Sequence, residues 1–171
     1  MKLRSFVLAV GSATVLAAFQ NVADALQRGA RLVVGGDTRR LPSRPDRFFE
    51  PTVLADATPD MVIAREETFG PVKAVVRVRG VEEAVACAND NEYGLSAAVF
   101  GSDMARAFNV ARRIDSGICH VNGPTVHDEA QMPFGGVKGS GIGRFGGKAG
   151  INEFTELRWI TIQTTPRHYP F

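Results

Sequence analysis

The segment GSGIGRFGG at 139–147 carries the glycine pattern G-x-G-x-x-G at Gly141, Gly143 and Gly146. In a dinucleotide-binding turn, such glycines follow a strand, open a helix and precede an acidic residue by about 20 positions. Here the preceding residues PFGGVKGS indicate a loop, and Glu153 and Glu156 come too early, before the last predicted strand. The pattern therefore does not indicate a Rossmann turn.

Cys119 and His120 are adjacent, which suggests a nucleophile beside its base. They fall in a predicted strand, where neighbouring side chains point to opposite faces, so the two cannot form a hydrogen-bonded pair. Free cysteine is usually buried, and a packing role is therefore favoured for Cys119 and for Cys87. No catalytic residue is predicted in this chain.

The turn Glu66-Glu67-Thr-Phe-Gly-Pro places two acids and an aromatic ring directly before a strand. One interpretation is an ordinary turn with its acids in water. The other is a carboxylate and a ring held at the edge of a sheet, where they could contact ribose hydroxyls and a flat ligand. The residues alone leave these two interpretations open.

Composition excludes several classes of function. The chain has 20 Lys and Arg against 18 Asp and Glu, with no basic block, which argues against a nucleic-acid partner. Two cysteines are too few for a disulfide scaffold. The run His-Asp-Glu at 127–129 could supply two or three metal ligands, but no fourth follows at a suitable spacing, so no metal site is predicted.

The elements that would position these residues follow a β-α-β-α-β order. The fold class expected is α/β, a parallel sheet covered by helices. A glycine-rich loop then covers 122–150, and a final strand is predicted at Arg158–Gln163. The five elements are strands at 72–78, 96–100 and 118–121 and apolar helical stripes at 81–88 and 104–114.

The N-terminus has two interpretations. MKLR followed by an apolar run is typical of a signal peptide, with Ala23-Asp24-Ala25 as a cleavage site. The alternative is a helix of a cytoplasmic protein that ends at Arg28-Gly29. We favour the helix, because cleavage after Ala25 would cut it in two. Polar residues within Ser5–Ala23 argue against a membrane span. The stripe of this helix comprises Val15, Phe19, Val22 and Leu26, with Ala18 and Ala25 beside them.

Four motifs together resemble the C-terminal part of the catalytic domain of the NAD(P)-dependent aldehyde dehydrogenase superfamily. They occur in the family's order, and the similarity runs from about Phe19 to near the end. The ending FTELRWITIQTTPRHYPF, with HVNGPTVHDE before it, is most similar to members that act on aromatic aldehydes such as benzaldehyde, vanillin or salicylaldehyde. The motifs are EETFGPV at 66–72, ANDNEYGLSAAVF at 88–100, SGICHVNG at 116–123 and PFGGVKGSGIGR at 133–144.

The resemblance implies oxidation of an aldehyde to its acid with NAD or NADP. In the family a cysteine thiolate attacks the aldehyde, the cofactor accepts hydride, and a glutamate base helps water release the acid. The family's nucleophile, base and Rossmann domain precede the region that is similar here. The chain alone is therefore expected to be inactive, either as part of such an enzyme or as a truncated product or association module.

The resemblance also assigns roles to individual residues. Glu67 is similar to the glutamate that binds the nicotinamide ribose, and Phe69 to the ring that packs at the nicotinamide end of the cofactor. Phe134 corresponds to a ring near the aldehyde, and Thr125 and His127 fall in the loop at the substrate entrance.

The resemblance divides the chain into two parts. Residues 1–157 correspond to a partial catalytic domain. Residues 158–171 correspond to a strand and tail used in subunit association, which implies a homo-oligomer in the complete enzyme.

Overall fold

The computed structural model describes residues 12–37 and 48–170, and the side chains of the first helix from Leu16 onward. The chain divides into two units, Met1–Glu92 and Tyr93–Phe171. The charged start of the possible signal sequence lies outside the described residues. None of the helices in the described ranges is long and apolar enough to cross a bilayer.

The first unit is built on a three-stranded sheet. Strand β1 (Arg31–Val34) pairs antiparallel with β2 (Thr52–Ala57), which pairs parallel with β3 (Val72–Val76). The pattern of burial along β2 places Thr52, Leu54 and Ala57 inside. Three helices complete the unit: α1 (Ser12–Gln27), α2 (Val62–Arg65) and α3 (Val81–Asn89).

The helix that the sequence predicts near the N-terminus forms as α1. It runs without interruption through Ala23-Asp24-Ala25 and ends at Gln27, two residues before Gly29, whose φ of 100° suits glycine better than any other residue. Its small residues Ala18 and Ala25 are buried. Phe19 and Leu26, expected on the inner stripe, are 48% and 40% exposed, so that part of the prediction is wrong.

The second unit contains a β-α-β element. Strand β5 (Ser96–Val99) pairs parallel with β6 (Ile118–Val121), and α4 (Met104–Ala111) connects them. Asp103 caps α4, since its Oδ1 accepts a hydrogen bond from the backbone N–H of Arg106 at 3.0 Å. The remaining elements are β4 (Tyr93–Gly94), β7 (Val137–Lys138) and α5 (Gly147–Glu153), with β4 and β7 antiparallel.

The α/β class and the five predicted elements are confirmed, but their pairing differs from the expectation. Strand β3 belongs to a mixed sheet with β1 and β2, whereas β5 pairs with β6. The strand predicted at Arg158–Gln163 does not form among the described residues, where 155–164 carry no regular structure and are exposed. A strand exists only when another edge pairs with its backbone, and this segment has none within the described chain.

Candidate functional site

The EETFG turn in the first unit is held from three sides. The N–H of Glu66 donates to the carbonyl of Val62 at 2.8 Å and ends α2. Thr68 Oγ1 accepts a hydrogen bond of 2.7 Å from Nδ2 of Asn21, a side chain only 8% exposed on α1. The N–H of Thr52 then donates to the carbonyl of Pro71 at 2.8 Å, where β3 begins. Both neighbours of Glu67 are therefore anchored.

Arg65, the last residue of α2, makes three hydrogen bonds. Its Nε donates to the carbonyl of Pro59 at 2.6 Å. Its Nη1 and Nη2 donate to the carbonyl and the Oδ2 of Asp90, at 2.8 and 2.7 Å. The hydrogen bond to Asp90, and then the charge of its carboxylate, raise the pKa of Arg65. Sequence reasoning did not identify this residue.

Glu67 lies on the wall of a cavity of about 400 Å³ in the first unit. Its side chain is exposed, and it makes no hydrogen bond or ion pair with other residues that the structure describes. A carboxylate of this kind can accept two hydroxyl donors from a ligand. The other walls include Thr68, Lys73, Cys87 and Asp90.

Phe69, on the same turn, is 71% exposed and is not part of that cavity wall. The structure thus brings Glu67 and Phe69 onto one anchored turn but directs the carboxylate to the cavity and the ring to the surface. An exposed aromatic ring on an anchored turn is available to stack on a flat ligand.

The second unit contains a cavity of about 380 Å³ between β6 and the loop that follows it. Two of the three predicted pocket residues, His127 and Phe134, line this cavity. Thr125 does not, and its carbonyl instead accepts a hydrogen bond of 2.9 Å from Oγ of Ser96. The walls are formed by Gly117, Ile118, Cys119, His120, His127, Asp128, Glu129, Met132, Pro133 and Phe134.

A pair of histidines forms one side of this cavity. The ring centroids of His120 and His127 are 5.8 Å apart and nearly perpendicular, and His127 Nε2 lies 3.4 Å from Oε1 of Glu129. The Nε2 of His120 is buried and has no hydrogen-bond partner within the described part of the chain. From the sequence, His120 is considered only as a partner of Cys119. The signal that points to this cavity is its place near the end of a strand that leads into the loop with His127.

Both cysteines are only partly buried, so the prediction that they pack in the core is wrong. Each lies on a cavity wall, Cys87 in the first unit and Cys119 in the second. Burial raises the pKa of the Cys119 thiol, and a hydrogen bond with Ser116 partly opposes this. A protonated thiol is a poor nucleophile.

Phe134 is fixed by a second segment of the glycine-rich loop. It exchanges two backbone hydrogen bonds with Phe145, of 2.7 and 2.9 Å, and the ring centroids are 5.1 Å apart. Arg144 Nη1 donates to the carbonyls of Gly136 and Gly143 at 2.8 and 2.6 Å. The PFGG segment is therefore a rigid support for the ring of Phe134.

Comparison with known proteins gives one consistent result. The chain is 57% identical over 149 residues to a vanillin dehydrogenase of Pseudomonas sp. strain HR199, which covers 87% of this chain and 30% of that relative. A salicylaldehyde dehydrogenase structure from Pseudomonas putida G7, complexed with salicylaldehyde, superposes with a TM-score of 0.82 at 43% identity, covering 95% of this chain and 32% of that one.

An aldehyde dehydrogenase structure from Mycobacterium tuberculosis complexed with NAD+ gives a TM-score of 0.79 at 36% identity, covering 85% of this chain and 30% of that one. The chain thus spans about 30% of the length of the curated relative named above. The family model described as aldehyde dehydrogenase matches residues 10–160, and this chain therefore belongs to the aldehyde dehydrogenase family.

Proposed function

We propose that this chain serves the oxidation of an aromatic aldehyde to its carboxylic acid with NAD or NADP. It would supply the ribose-binding carboxylate and part of the aldehyde pocket. The nucleophile, the base and the dinucleotide domain would lie in sequence that this chain does not contain. The similarity to vanillin and salicylaldehyde dehydrogenases supports the choice of an aromatic substrate.

The single observation that carries this proposal is the state of Glu67. Its carboxylate is unpaired among the described residues and lies on a cavity wall, while the residues on either side of it are anchored. A charged acceptor of this kind forms strong hydrogen bonds to two neighbouring hydroxyls. A ribose presents such a pair, so the residues present fit the sugar of a nicotinamide cofactor.

The cofactor, when bound, would accept the hydride that the aldehyde loses. The role of Glu67 is to fix the ribose and thereby the orientation of the nicotinamide. Phe69 contributes an exposed ring that packs against the planar end of the cofactor. Misplacement by as little as about 1 Å costs much of the rate of such a transfer, which explains why an anchored turn is needed.

The aldehyde would occupy the cavity of the second unit. Phe134 offers an aromatic face held by Phe145, and His127 offers a polar edge beside Glu129. An aromatic ring carrying a hydroxyl group suits a cavity with one apolar wall and one polar wall. Thr125 belongs to the entrance loop, and we keep it in the proposed pocket although it does not line the cavity in this structure.

The test grafts residues 19–171 onto the preceding part of the Pseudomonas vanillin dehydrogenase. We expect the graft to form NADH from vanillin and NAD, and the isolated chain, as its control, to form none. In the graft, Glu67→Gln keeps the shape but weakens both ribose hydrogen bonds. The hydride step should slow on the order of tenfold, which corresponds to about 1.4 kcal/mol.

Glu66→Gln is the matched control, because Glu66 is an exposed acid one residue earlier that does not line the cavity. Pre-steady-state NADH formation with a deuterated aldehyde separates hydride transfer from product release. The assignment fails if Glu66→Gln is the slower enzyme, or if neither change affects the hydride step.

A second role in subunit association is proposed for residues 158–171. The observation that favours it is a row of exposed apolar side chains, with Trp159 90% and Ile162 83% exposed. Exposed apolar segments of this kind mark association sites. We infer a homo-oligomer of the complete enzyme, and deletion of 158–171 from the graft should lower its assembly state in sedimentation.

A cytoplasmic location is also part of the proposal. It is supported by the two unpaired cysteines and by the continuity of α1 through the candidate cleavage site.

A further inference from the structure

Helix α2 depends on its neighbours for its orientation. At its N-terminal end the N–H of Val62 donates to Oδ2 of Asp24 on α1 at 3.3 Å, and Ile63 packs against the core of the unit. The helix itself has four residues, no side-chain cap from Met61 and no buried residue. A single helical turn is unstable in water because its nucleation cost is not repaid by later hydrogen bonds. Whatever fixes α2 therefore also fixes the direction in which the chain enters the turn that carries Glu67, two residues after the helix ends.

Arg65 holds the C-terminal end of α2, next to the turn. Its guanidinium joins α2 to the carbonyl of Pro59 and to both the carbonyl and the carboxylate of Asp90, with all three distances below 3 Å. Isolated surface ion pairs contribute little, but a planar guanidinium that engages three acceptors at once imposes a geometry. Its place at the helix C-terminus adds a favourable interaction with the helix dipole.

The residues that accept the hydrogen bonds of Arg65 line the same cavity as Glu67. Pro59 and Asp90 are both on its walls. Arg65 thus ties the segment that carries Glu67 to two other parts of the same wall. It also pairs with the carboxylate of Asp90, so Asp90 contributes less unbalanced negative charge to the cavity than Glu67 does.

We propose that Arg65 is a positioning residue for the reaction, which sets the place of the Glu67 carboxylate by clamping α2 to Pro59 and Asp90. The inference rests on the proposed function insofar as Glu67 binds a ribose. Its structural part, the dependence of the turn on Arg65, stands on the three hydrogen bonds alone and is tested without any catalysis.

The first experiment uses the full 171-residue chain and follows amide hydrogen exchange by NMR. Arg65→Gln should speed exchange at Glu66 and Gly70, whose N–H groups are hydrogen-bonded within this region, on the order of tenfold. Exchange in β2 and β3 should not change. Arg77→Gln is the matched control, because the Arg77 side chain is 83% exposed and has one contact of 3.5 Å with Asp56.

The second experiment measures the grafted enzyme. Arg65→Gln should lower kcat/KM for NAD on the order of tenfold and leave KM for the aldehyde within about twofold. Arg65→Lys should restore part of this loss, because an ammonium can reach one or two of the acceptors but lacks the planar fork. A variant that merely destabilises the fold would lower the amount of active enzyme without this split.

The outcomes separate the two proposals. Equal exchange at Glu66 and Gly70 in Arg65→Gln and the unmodified chain would overturn the positioning role, whatever the graft does. Faster exchange throughout β2 and β3 would also overturn it and indicate a general structural role. If the unmodified graft itself is inactive, the proposed function fails, while the exchange data still decide whether Arg65 holds the turn.

Discussion

Gly117 faces the backbone of Gly135 and Gly136 with no room for a side chain, and its replacement by alanine is a sharp test of the structure. It directly precedes β6, and its N–H donates to the carbonyl of Gly94 at 2.9 Å. A Cβ at this position would overlap the carbonyl oxygen of Gly135 and lie 2.8 Å from its carbon. Its φ is outside the positive region, so the backbone conformation itself would suit alanine.

The size of the destabilisation depends on which atoms would have to move. The atoms that a Cβ would meet belong to the backbone of Gly135 and Gly136, so no side-chain rotation gives relief. The carbonyl carbon alone would have to retreat by roughly 0.6 Å, the difference between 2.8 Å and the 3.4 Å of ordinary contact, and the carbonyl oxygen, which is closer, by more than that. Overpacking of this kind costs about 1–3 kcal/mol.

The same displacement strains the two hydrogen bonds between Phe134 and Phe145, which contribute about 1 kcal/mol each. We therefore expect Gly117→Ala to lower the free energy of unfolding of this unit by about 3 kcal/mol.

The assay is urea denaturation followed by far-UV circular dichroism, together with amide exchange at Phe134 and Phe145, because a chain of two units need not unfold in one step. Gly123→Ala is the control: its Cβ would lie 3.6 Å from the Cβ of His120, an ordinary contact. That variant should stay within about 0.5 kcal/mol of the unmodified chain. If Gly117→Ala is as stable as Gly123→Ala, the inferred contact between β6 and the PFGG segment is wrong.

Two further predictions concern the same unit. Asn122 has a φ of 56°, and its side-chain amide exchanges hydrogen bonds of 2.8 and 2.9 Å with the backbone of Gly101. Asn122→Ala should cost about 2 kcal/mol in urea denaturation and Asn122→Gly about 1, because glycine avoids the penalty of a positive φ; equal losses would remove that explanation. Burial raises the pKa of the Cys119 thiol, so its alkylation by iodoacetamide at pH 8 should be slower in the native chain than in urea. As the pH rises through the ordinary thiol range, Cys119 loses its proton in the unfolded chain before it does so in the folded chain, so the free energy of unfolding should fall in that range. Faster alkylation of the native chain would contradict this reasoning.

Local periodicity was enough to predict helices α1, α3 and α4 and strands β3, β5 and β6, but it wrongly predicted a strand at 158–163 and did not show which side of α1 is buried. The stripe of large residues suggested Phe19 and Leu26 as core positions. The structure buries Val22 of that stripe together with Ala18 and Ala25 beside it, whose small side chains allow α1 to lie close to its neighbours. The choice of face depends on the partner surface, which a sequence pattern does not contain.

The candidate site likewise contains residues that a local sequence pattern indicates and one residue that no such pattern indicates. Glu67 and Phe69 stand out because an acid and a ring beside a Gly-Pro turn form a local pattern, and the resemblance to the family then assigns their roles, which stay predictions. Arg65 could not be identified from the sequence, since its partner Asp90 is 25 positions away and an arginine on a short helix forms no pattern that indicates such contacts. Its role depends on the tertiary structure, which brings the end of α2 within hydrogen-bonding distance of Asp90, the residue that follows α3.

The glycine pattern at 141–147 has a structural cause in the fold itself. Gly141, Gly143 and Gly146 have φ values of 132°, 72° and 94°, a region that other residues adopt only with strain. A side chain on Gly146 would overlap the carbonyl of Met132, so close packing also requires glycine there.

The acid that follows the pattern is used within the loop as well. Glu153 Oε1 accepts a hydrogen bond of 3.1 Å from the N–H of Arg144. In a dinucleotide-binding turn the corresponding acid would bind a ribose, and the last glycine would open a helix directed at a phosphate. Here the seven-residue helix α5 begins at Gly147, whose N–H donates to the carbonyl of Ala130. The glycines thus allow the loop to fold back on 130–136 and support Phe134, which explains the pattern without a phosphate.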